Sequence, residues 1–206
     1  MRVALVGGTG GLGPGLAARW LLSDIEVIIG SRVRERAQET ASKISRLVDR
    51  DVEGMLNQEA VEEAEIIVLT IPFKGVEPTL KSLSNHLKGK TIISPIVSPS
   101  PALGTSAGEL VRRLSPDSAK VASAFQNVGA HALAELEKPI DCDVVVCGDP
   151  EARETAAKLV EKIPNLRALD GGGIENSWII EALTHLLIRL NKRYRRRSIG
   201  VRFTGL

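Results

Sequence analysis

Residues 2–13 read Arg-Val-Ala-Leu-Val-Gly-Gly-Thr-Gly-Gly-Leu-Gly, an apolar run that passes directly into a glycine-rich turn. The glycines have the spacing Gly8-x-Gly10-x-x-Gly13, and the residues from Pro14 onward are typical of a helix. In this pattern one glycine permits a tight turn, the next lets the backbone approach a pyrophosphate, and the third allows close packing of helix on strand. The free N–H groups of the helix N-terminus would face the phosphates. The stretch therefore predicts the start of a dinucleotide-binding domain.

Short apolar runs alternate with amphipathic stretches along most of the 206 residues, which is typical of a parallel sheet flanked by helices. We predict an α/β fold of the Rossmann type, with a doubly wound, mostly parallel sheet and a short C-terminal helical and strand-like appendage. Apolar spacing predicts helices at Arg34–Val48 and Glu151–Ile163. Eight strands are predicted, at Val3–Val6, Glu26–Ile29, Asp51–Met55, Ile66–Thr70, Thr91–Ser94, Val121–Ser123, Val144–Cys147 and Leu166–Leu169.

The pattern changes after Asp170-Gly171-Gly172-Gly173, where one long helical stretch, roughly Glu175–Leu190, precedes a strand-like tail at Ile199–Phe203. We therefore divide the chain into a nucleotide-binding domain, residues 1–170, and a small C-terminal segment, residues 171–206, that completes the substrate pocket. Because so short a segment closes little of a pocket, we expect a partner subunit to contribute to it, in a homodimer.

The end of the second predicted strand indicates which dinucleotide is bound. An Asp or Glu at this point would bond the ribose 2′-hydroxyl of NAD, but this chain has Gly30-Ser31-Arg32 there, followed by Arg34 and Arg36. A 2′-phosphate requires donors and positive charge, and the planar guanidinium of Arg matches it well. We expect NADP, with Thr9 as a further hydroxyl donor. The alternative is that the arginines form only a basic helix start on the surface.

Two other strand ends are expected beside the nicotinamide. Thr70, Ile71 and Pro72 follow the fourth strand, and Ser94 and Val97 follow the fifth. Ligands of open α/β sheets bind at the carboxyl ends of the strands, near the point where the strand order reverses. Ordinary strand ends with turn prolines would show the same residues.

Composition excludes several other classes of protein. The net charge is only +2, which gives no nucleic-acid signature, and no apolar run is long enough to span a membrane. Met1 lies one residue before the first strand, so we expect no signal peptide and a cytoplasmic location. Cys142 and Cys147 are expected to pack on opposite faces of one strand, and neither to bind metal nor to form a disulfide. A basic cluster near the end could meet an anionic ligand, a nucleic acid or only solvent: Arg189, Lys192, Arg193, Arg195, Arg196 and Arg197.

The later motifs resemble a specific family. The order of Ala124-Phe125-Gln126-Asn127-Val128-Gly129-Ala130-His131, then Glu175-Asn176, then the C-terminal Gly200-Val201-Arg202-Phe203 is similar to that of NADPH-dependent reductases of the deazaflavin coenzyme F420. The resemblance covers nearly the whole chain. It implies transfer of a hydride between the nicotinamide C4 and the deazaflavin C5. Such a transfer between two planar carriers requires no catalytic side chain and no metal, only rings held face to face.

The resemblance also implies binding roles. The glycine loop would bind the pyrophosphate, Ser31, Arg32 and Arg36 the 2′-phosphate, and the two strand ends the nicotinamide. His131 is assigned to binding, not catalysis. The loop residues are Gly8, Thr9, Gly10, Gly11, Leu12 and Gly13, and the residues expected to contact the deazaflavin are Gln126, Asn127, Val128, Ala130, His131 and Asn176.

The chain departs from the family pattern around Glu175-Asn176. Members often have Asp-Ala-Gly-Pro-Leu before this pair and Ala-Arg after it, whereas this chain has three glycines before it and Ser177-Trp178 after it. Two other functions therefore stay open: an NADPH-dependent reductase of another acceptor (an imine, a keto group, a flavin or a ferric complex), and a non-catalytic NADP-binding sensor.

Overall fold

All residues, Met1–Leu206, are described by a computed structural model. Eight strands form one sheet in the order β3-β2-β1-β4-β5-β6-β7-β8. The strands are β1 (Arg2–Val6), β2 (Glu26–Ser31), β3 (Glu53–Leu56), β4 (Ile66–Leu69), β5 (Thr91–Ser94), β6 (Lys120–Ser123), β7 (Cys142–Gly148) and β8 (Leu166–Asp170).

Eight helices connect or follow these strands. They are α1 (Gly13–Leu21), α2 (Arg34–Val48), α3 (Asn57–Glu62), α4 (Val76–Leu83), α5 (Ala107–Leu114), α6 (Ala130–Ala134), α7 (Pro150–Glu161) and α8 (Ser177–Arg193). Short 3₁₀ turns precede α4 at Phe73–Gly75 and α8 at Ile174–Asn176.

A buried apolar cluster lies on each face of the sheet. In β1, Val3 and Leu5 belong to one buried apolar cluster, while Ala4 and Val6 belong to another. Successive side chains of a strand point to opposite faces, so each cluster lies on one face of the sheet. This is the doubly wound Rossmann-type fold that the sequence predicts.

The first six strands are parallel, and the last two reverse direction. β7 pairs antiparallel with β6 through Ala122 with Gly148 and Ser123 with Cys147. β8 then pairs parallel with β7. Consequently the segment between β6 and β7 lies at the carboxyl edge of the parallel strands, where a ligand of this fold binds.

The predicted strands are all present, β5 with the predicted bounds and the others with ends that differ by at most two residues. Residues 95–106, between β5 and α5, contain no helix or strand. The strand-like tail at Ile199–Phe203 is wrong, because these residues are irregular. Their backbone contact with β7 is one bond, from Asp143 N–H to the Val201 carbonyl at 2.8 Å, which is too little for a ladder.

A buried carboxylate attaches this tail instead. Asp143 in β7 has a fully buried side chain and accepts hydrogen bonds from Arg167 at 2.9 and 2.7 Å, from Arg202 at 2.8 Å and from Phe203 N–H at 2.7 Å. The Arg167 guanidinium, with the Phe203 amide and Arg202, holds the pKa of Asp143 far below its usual range.

Both cysteines lie in one strand, as predicted. Cys142 and Cys147 both lie in β7, and both are buried free thiols. Burial raises the pKa of both thiols, that of Cys147 to about 11, so neither is a reactive thiolate at neutral pH. The chain has no helix with the length and apolarity needed to cross a bilayer.

Candidate functional site

The glycine loop between β1 and α1 requires glycine at defined points. Gly7 has φ +73°, and a Cβ there would lie 2.5 Å from the Ile71 side chain. A Cβ on Gly13 would overlap the Gly8 backbone, so the third glycine of the fingerprint allows α1 to start directly against the turn. The left-handed residue is thus Gly7, one position before the fingerprint begins.

The loop offers unused backbone donors. The N–H groups of Thr9, Gly11, Leu12 and Gly13 donate to no backbone carbonyl. Leu12 is the N-cap residue of α1, and its apolar side chain cannot satisfy them. Free N–H groups at a helix N-terminus attract anions through both hydrogen bonding and the helix dipole. The arrangement therefore suits a pyrophosphate.

A cavity of about 620 Å³ joins the glycine loop to two strand ends. It brings together eight of the residues that the sequence predicts for the NADP site: Thr9, Gly10, Ser31, Arg32, Arg36, Thr70, Ile71 and Pro72. The remaining predicted residues lie outside its lining. Gly8 and Gly13 pack against each other inside the glycine loop, while Gly11 and Leu12 have N–H groups that donate to no backbone carbonyl.

The three arginines after β2 have different environments. Arg34 forms an ion pair with Glu59 on α3. Neither Arg32 nor Arg36 has an ion pair within 4.0 Å, although both line the cavity. Ser31 is buried, and its hydroxyl oxygen accepts a 3.2 Å hydrogen bond from Val33 N–H, which leaves its own hydrogen free to donate. Two unpaired cations beside a hydroxyl fit the dianionic 2′-phosphate that the sequence predicts.

Sequence reasoning missed one part of this cavity. The Asn57 side chain accepts a 3.1 Å hydrogen bond from Gly7 N–H and so fixes the left-handed residue of the loop. Asn57 directly follows β3 at the carboxyl edge of the sheet, and that position is the signal that could have identified it. Three residues of α4 also line the cavity: Pro78, Thr79 and Ser82.

The end of β5 lies next to the end of β4. Val68 pairs with Ile93, so Ser94 follows beside Leu69 and close to Thr70. Ser94 is fully buried, its hydroxyl oxygen accepts a 3.4 Å bond from Ile96 N–H, and its carbonyl accepts a 3.1 Å bond from Ala124 N–H. Val97 is half-buried in the loop that follows. Both residues are at the edge of the sheet where the nicotinamide is expected.

The segment after β6 is buried rather than open. Gln126 donates to the Ser123 hydroxyl, and Asn127 donates to the Asp143 carbonyl at 2.7 Å. The side-chain oxygens of both amides are buried without a partner. Val128 is buried with them, whereas Ala130 and His131 lie at the start of α6, with His131 exposed and 3.9 Å from Glu135.

Asn176 supports the glycine-rich turn before α8. Its side-chain amide donates to the Gly171 carbonyl at 2.8 Å, and Gly172 adopts φ +80°. Asn176 is half-buried, as is Trp178. The six residues of the basic cluster at the end of α8 are all exposed, and none has an acidic partner within 4.0 Å.

Comparison with known proteins decides the family. Residues 2–98 match the family model described as NADP oxidoreductase, coenzyme F420-dependent. The F420-dependent NADP reductase of Methanothermobacter thermautotrophicus is 41% identical over 222 aligned positions, which cover 100% of this chain and 96% of the relative. The chain belongs to the F420-dependent NADP reductase family.

Solved structures agree on the fold. A structure described as an F420-dependent NADP reductase from Arthrobacter sp. FB24 superposes with a TM-score of 0.82 at 22% identity, covering 99% of both chains. An imine reductase from Bacillus cereus superposes with a TM-score of 0.65 at 15% identity, covering 94% of this chain and 62% of the other. At these identities the similarity shows the Rossmann-type fold alone.

Proposed function

We propose that the protein transfers a hydride between NADP(H) and the deazaflavin coenzyme F420. The observation that carries the proposal is the end-to-end match to an F420-dependent NADP reductase, which includes the appendage after Asp170 as well as the glycine loop. The nicotinamide and deazaflavin rings are two-electron carriers that exchange a hydride directly when they are stacked. The protein's part is to bind, orient and exclude water.

The geometry supports specific binding roles. The glycine-loop amides bind the pyrophosphate, and Ser31, Arg32 and Arg36 bind the 2′-phosphate. Thr70, Ile71 and Pro72, with Ser94 and Val97, flank the nicotinamide. The deazaflavin contacts are Gln126, Asn127, Val128, Ala130, His131 and Asn176. In this scheme no side chain acts as acid, base or nucleophile, and no metal takes part.

We also propose that residues 171–206 complete the acceptor pocket within a homodimer. α8 exposes a row of large apolar side chains at helical spacing, with Ile179 and Leu186 about half exposed. An apolar helix face of this kind supports burial against a second copy. Light scattering behind a sizing column tests the assembly: a mass near twice the 22.1 kDa of the chain supports it, and a monomer overturns it.

A cytoplasmic location belongs to the same proposal. Its support is the cysteine content, since the chain has only two cysteines and they form no disulfide with each other, and chains without disulfides are typical of reducing compartments. Cell fractionation with an antibody to the chain tests it. Recovery with the membrane or periplasmic fraction would contradict it.

The acceptor is tested by parallel assays. The protein is mixed with NADPH and, in separate reactions, with oxidised F420, a cyclic imine, a keto acid, a flavin and a ferric chelate. We expect rapid bleaching of the deazaflavin absorption and slow or no NADPH oxidation with the others. Faster turnover with an imine or a ferric chelate would favour the other reductase. Tight NADPH binding without turnover on any acceptor would favour the sensor.

A further inference from the structure

A buried carboxylate on α8 has no role in the binding scheme above. The Glu181 side chain is fully buried and accepts three backbone hydrogen bonds, from Ser98 N–H at 2.8 Å, Ala107 N–H at 3.0 Å and Gly108 N–H at 3.1 Å. No lysine or arginine pairs with it. Burial raises the pKa of Glu181, and the three N–H donors oppose that rise. Two of the donors are the first amides of α5, so the helix dipole compensates the charge in place of a counter-ion.

One turn further along α8, His185 contacts the same residue, Ser98. Its Nε2 lies 2.8 Å from the Ser98 carbonyl oxygen. Residues four apart share one face of a helix, so α8 binds the N–H and the C=O of Ser98 from that face. A third contact on this face joins the Ser177 and Ser106 hydroxyls at 2.7 Å. α8 therefore holds both ends of the loop between Ser98 and Ser106.

Ser98 lies four residues after Ser94, the last residue of β5. At the other end of this short stretch, Ser94 is fixed by the Ala124 amide and by its own bond to Ile96 N–H. Val97, expected beside the nicotinamide, lies between these two fixed points. Apart from a 3.4 Å bond that the Ser98 hydroxyl accepts from Ser100 N–H within the same loop, the polar contacts of Ser98 are with α8, so the position of Val97 depends on the C-terminal segment.

We propose that Glu181 and His185 are positioning residues: they hold the N–H and the C=O of Ser98, a pair of contacts called the clamp below, and thereby place the Ser94–Ser98 stretch for hydride transfer. The inference rests on the proposed function, since the stretch flanks the nicotinamide only in that scheme. Ser98, Glu181 and His185 do not line the cavity that contains Ser31, Arg32 and Arg36. Loss of the clamp therefore changes the transfer rate and leaves NADPH affinity intact.

The test uses full-length Glu181→Gln and His185→Leu, with His185→Gln as the conservative variant whose amide still donates to the Ser98 carbonyl. Glu109→Gln is the matched control. Glu109 also caps α5, through Ser106 N–H at 3.2 Å, the Ser106 hydroxyl at 2.7 Å and Gly104 N–H at 3.0 Å, but it makes no direct hydrogen bond to α8 or Ser98. A purely structural effect of weakening the α5 N-terminus would appear in Glu109→Gln too.

The first readout is single-turnover reduction of F420 by NADPH, with and without deuterium at the nicotinamide C4, alongside NADPH titrations. We expect Glu181→Gln and His185→Leu to slow transfer by about 10- to 100-fold, the cost of a small misplacement of reacting groups. The deuterium isotope effect on steady-state turnover should rise, NADPH affinity should stay within about twofold, and His185→Gln should recover most of the rate. Wild-type transfer rates in both variants, or an equal loss in Glu109→Gln, would overturn the clamp.

The second readout is hydrogen exchange of the Ser98 amide in the NADPH complex, which is independent of the acceptor. Exchange should be slow in the wild type and Glu109→Gln, and fast in Glu181→Gln. Unchanged protection in Glu181→Gln would overturn the clamp even where transfer is slow. If the wild type does not reduce F420, the proposed function fails by itself, and the Ser98 exchange rate still decides whether the clamp exists.

Discussion

Several polar groups on the glycine-loop side of the sheet have no partner in the chain, whereas the two buried carboxylates on the C-terminal side are satisfied within the protein. Around the loop, the amides of Thr9 and Gly11 and the side chain of Arg32 have no partner in the chain. On the other side, Asp143 accepts four hydrogen bonds and Glu181 accepts three, all from the protein. Both of these carboxylates are fully buried.

This difference indicates that the glycine-loop side binds a ligand, whereas the carboxylates of the C-terminal side hold the structure together. Open donors next to a cavity retain their interaction energy for a ligand, while a buried charge must be fully paired or it destabilises the fold. The C-terminal side uses its carboxylates to attach the loop after β5, α8 and the tail to the sheet. We therefore expect substitutions on the glycine-loop side to affect mainly nucleotide binding, and substitutions on the C-terminal side to affect mainly the stability of the fold or the geometry of the site.

The largest effect is expected for Asp143→Asn. This change removes the buried charge that Arg167 and Arg202 share and puts an amide NH₂ in place of one acceptor oxygen, facing N–H donors, and should lower the free energy of unfolding by about 3 kcal/mol. Urea denaturation measures it, and NADPH binding should be retained by the folded fraction. Asp141→Asn is the control, because Asp141 is exposed and pairs with Arg202 alone, at 2.9 Å, so about 1 kcal/mol or less is expected. Equal losses in the two variants would remove the special role of Asp143.

Low pH should reduce the stabilising contribution of the Asp143 carboxylate. The folded-state pKa of Asp143 is lowered, so its stabilising effect is complete above the ordinary carboxyl pKa, about 4, and is lost as the pH falls below it. The difference in unfolding free energy between wild type and Asp143→Asn should therefore narrow between about pH 5 and pH 2.5. A difference that stayed constant over this range would contradict the lowered pKa.

On the open side, Arg32→Ala should weaken NADPH binding by about 1–3 kcal/mol, the range for charge-assisted hydrogen bonds, with little change for NADH. Fluorescence titration with both nucleotides measures the effect. Arg34→Ala is the matched control from the same turn, because Arg34 is already paired with Glu59. Equal losses for NADPH and NADH would refute the assignment of Arg32 to the 2′-phosphate.

The smallest effect is expected for Asn57→Ala. It removes the acceptor of the Gly7 amide and should weaken both nucleotides equally, by about 1 kcal/mol, because it loosens the loop without touching the 2′-phosphate. Competition titrations with NADPH and NADH compare the two. A loss confined to NADPH would place Asn57 in the phosphate site instead.

The two sides also differ in how far the sequence predicts them. The glycine loop is local in sequence, since its fingerprint, the preceding strand and the Gly-Ser-Arg turn fall within the first 32 residues. Most of the NADP cavity therefore follows from spacing and charge. Asn57 does not, because its contact with Gly7 spans 50 residues.

The C-terminal side depends on contacts between distant residues. Asp143 reaches Arg167, Arg202 and Phe203 across 24, 59 and 60 positions, and Glu181 reaches Ser98 across 83. In the sequence, nothing in the helical spacing around Glu181 indicates a buried carboxylate, and the tail has β-branched and aromatic residues suited to a strand. The tail prediction was wrong because a side-chain carboxylate, and not a neighbouring strand, satisfies the tail. The apolar pattern of β7 is the same for a parallel and an antiparallel strand, so the sequence did not predict its direction.

The central claim is direct transfer between two stacked rings, and an isotope tracer tests it. The protein is mixed with oxidised F420 and NADPH that carries deuterium at the nicotinamide C4, on the face that it uses, in ordinary water, and the reduced coenzyme is analysed by mass spectrometry. The account predicts one deuterium at the deazaflavin C5 for each NADPH oxidised. Reduced coenzyme without deuterium, or NADPH that binds and is not oxidised, would contradict it.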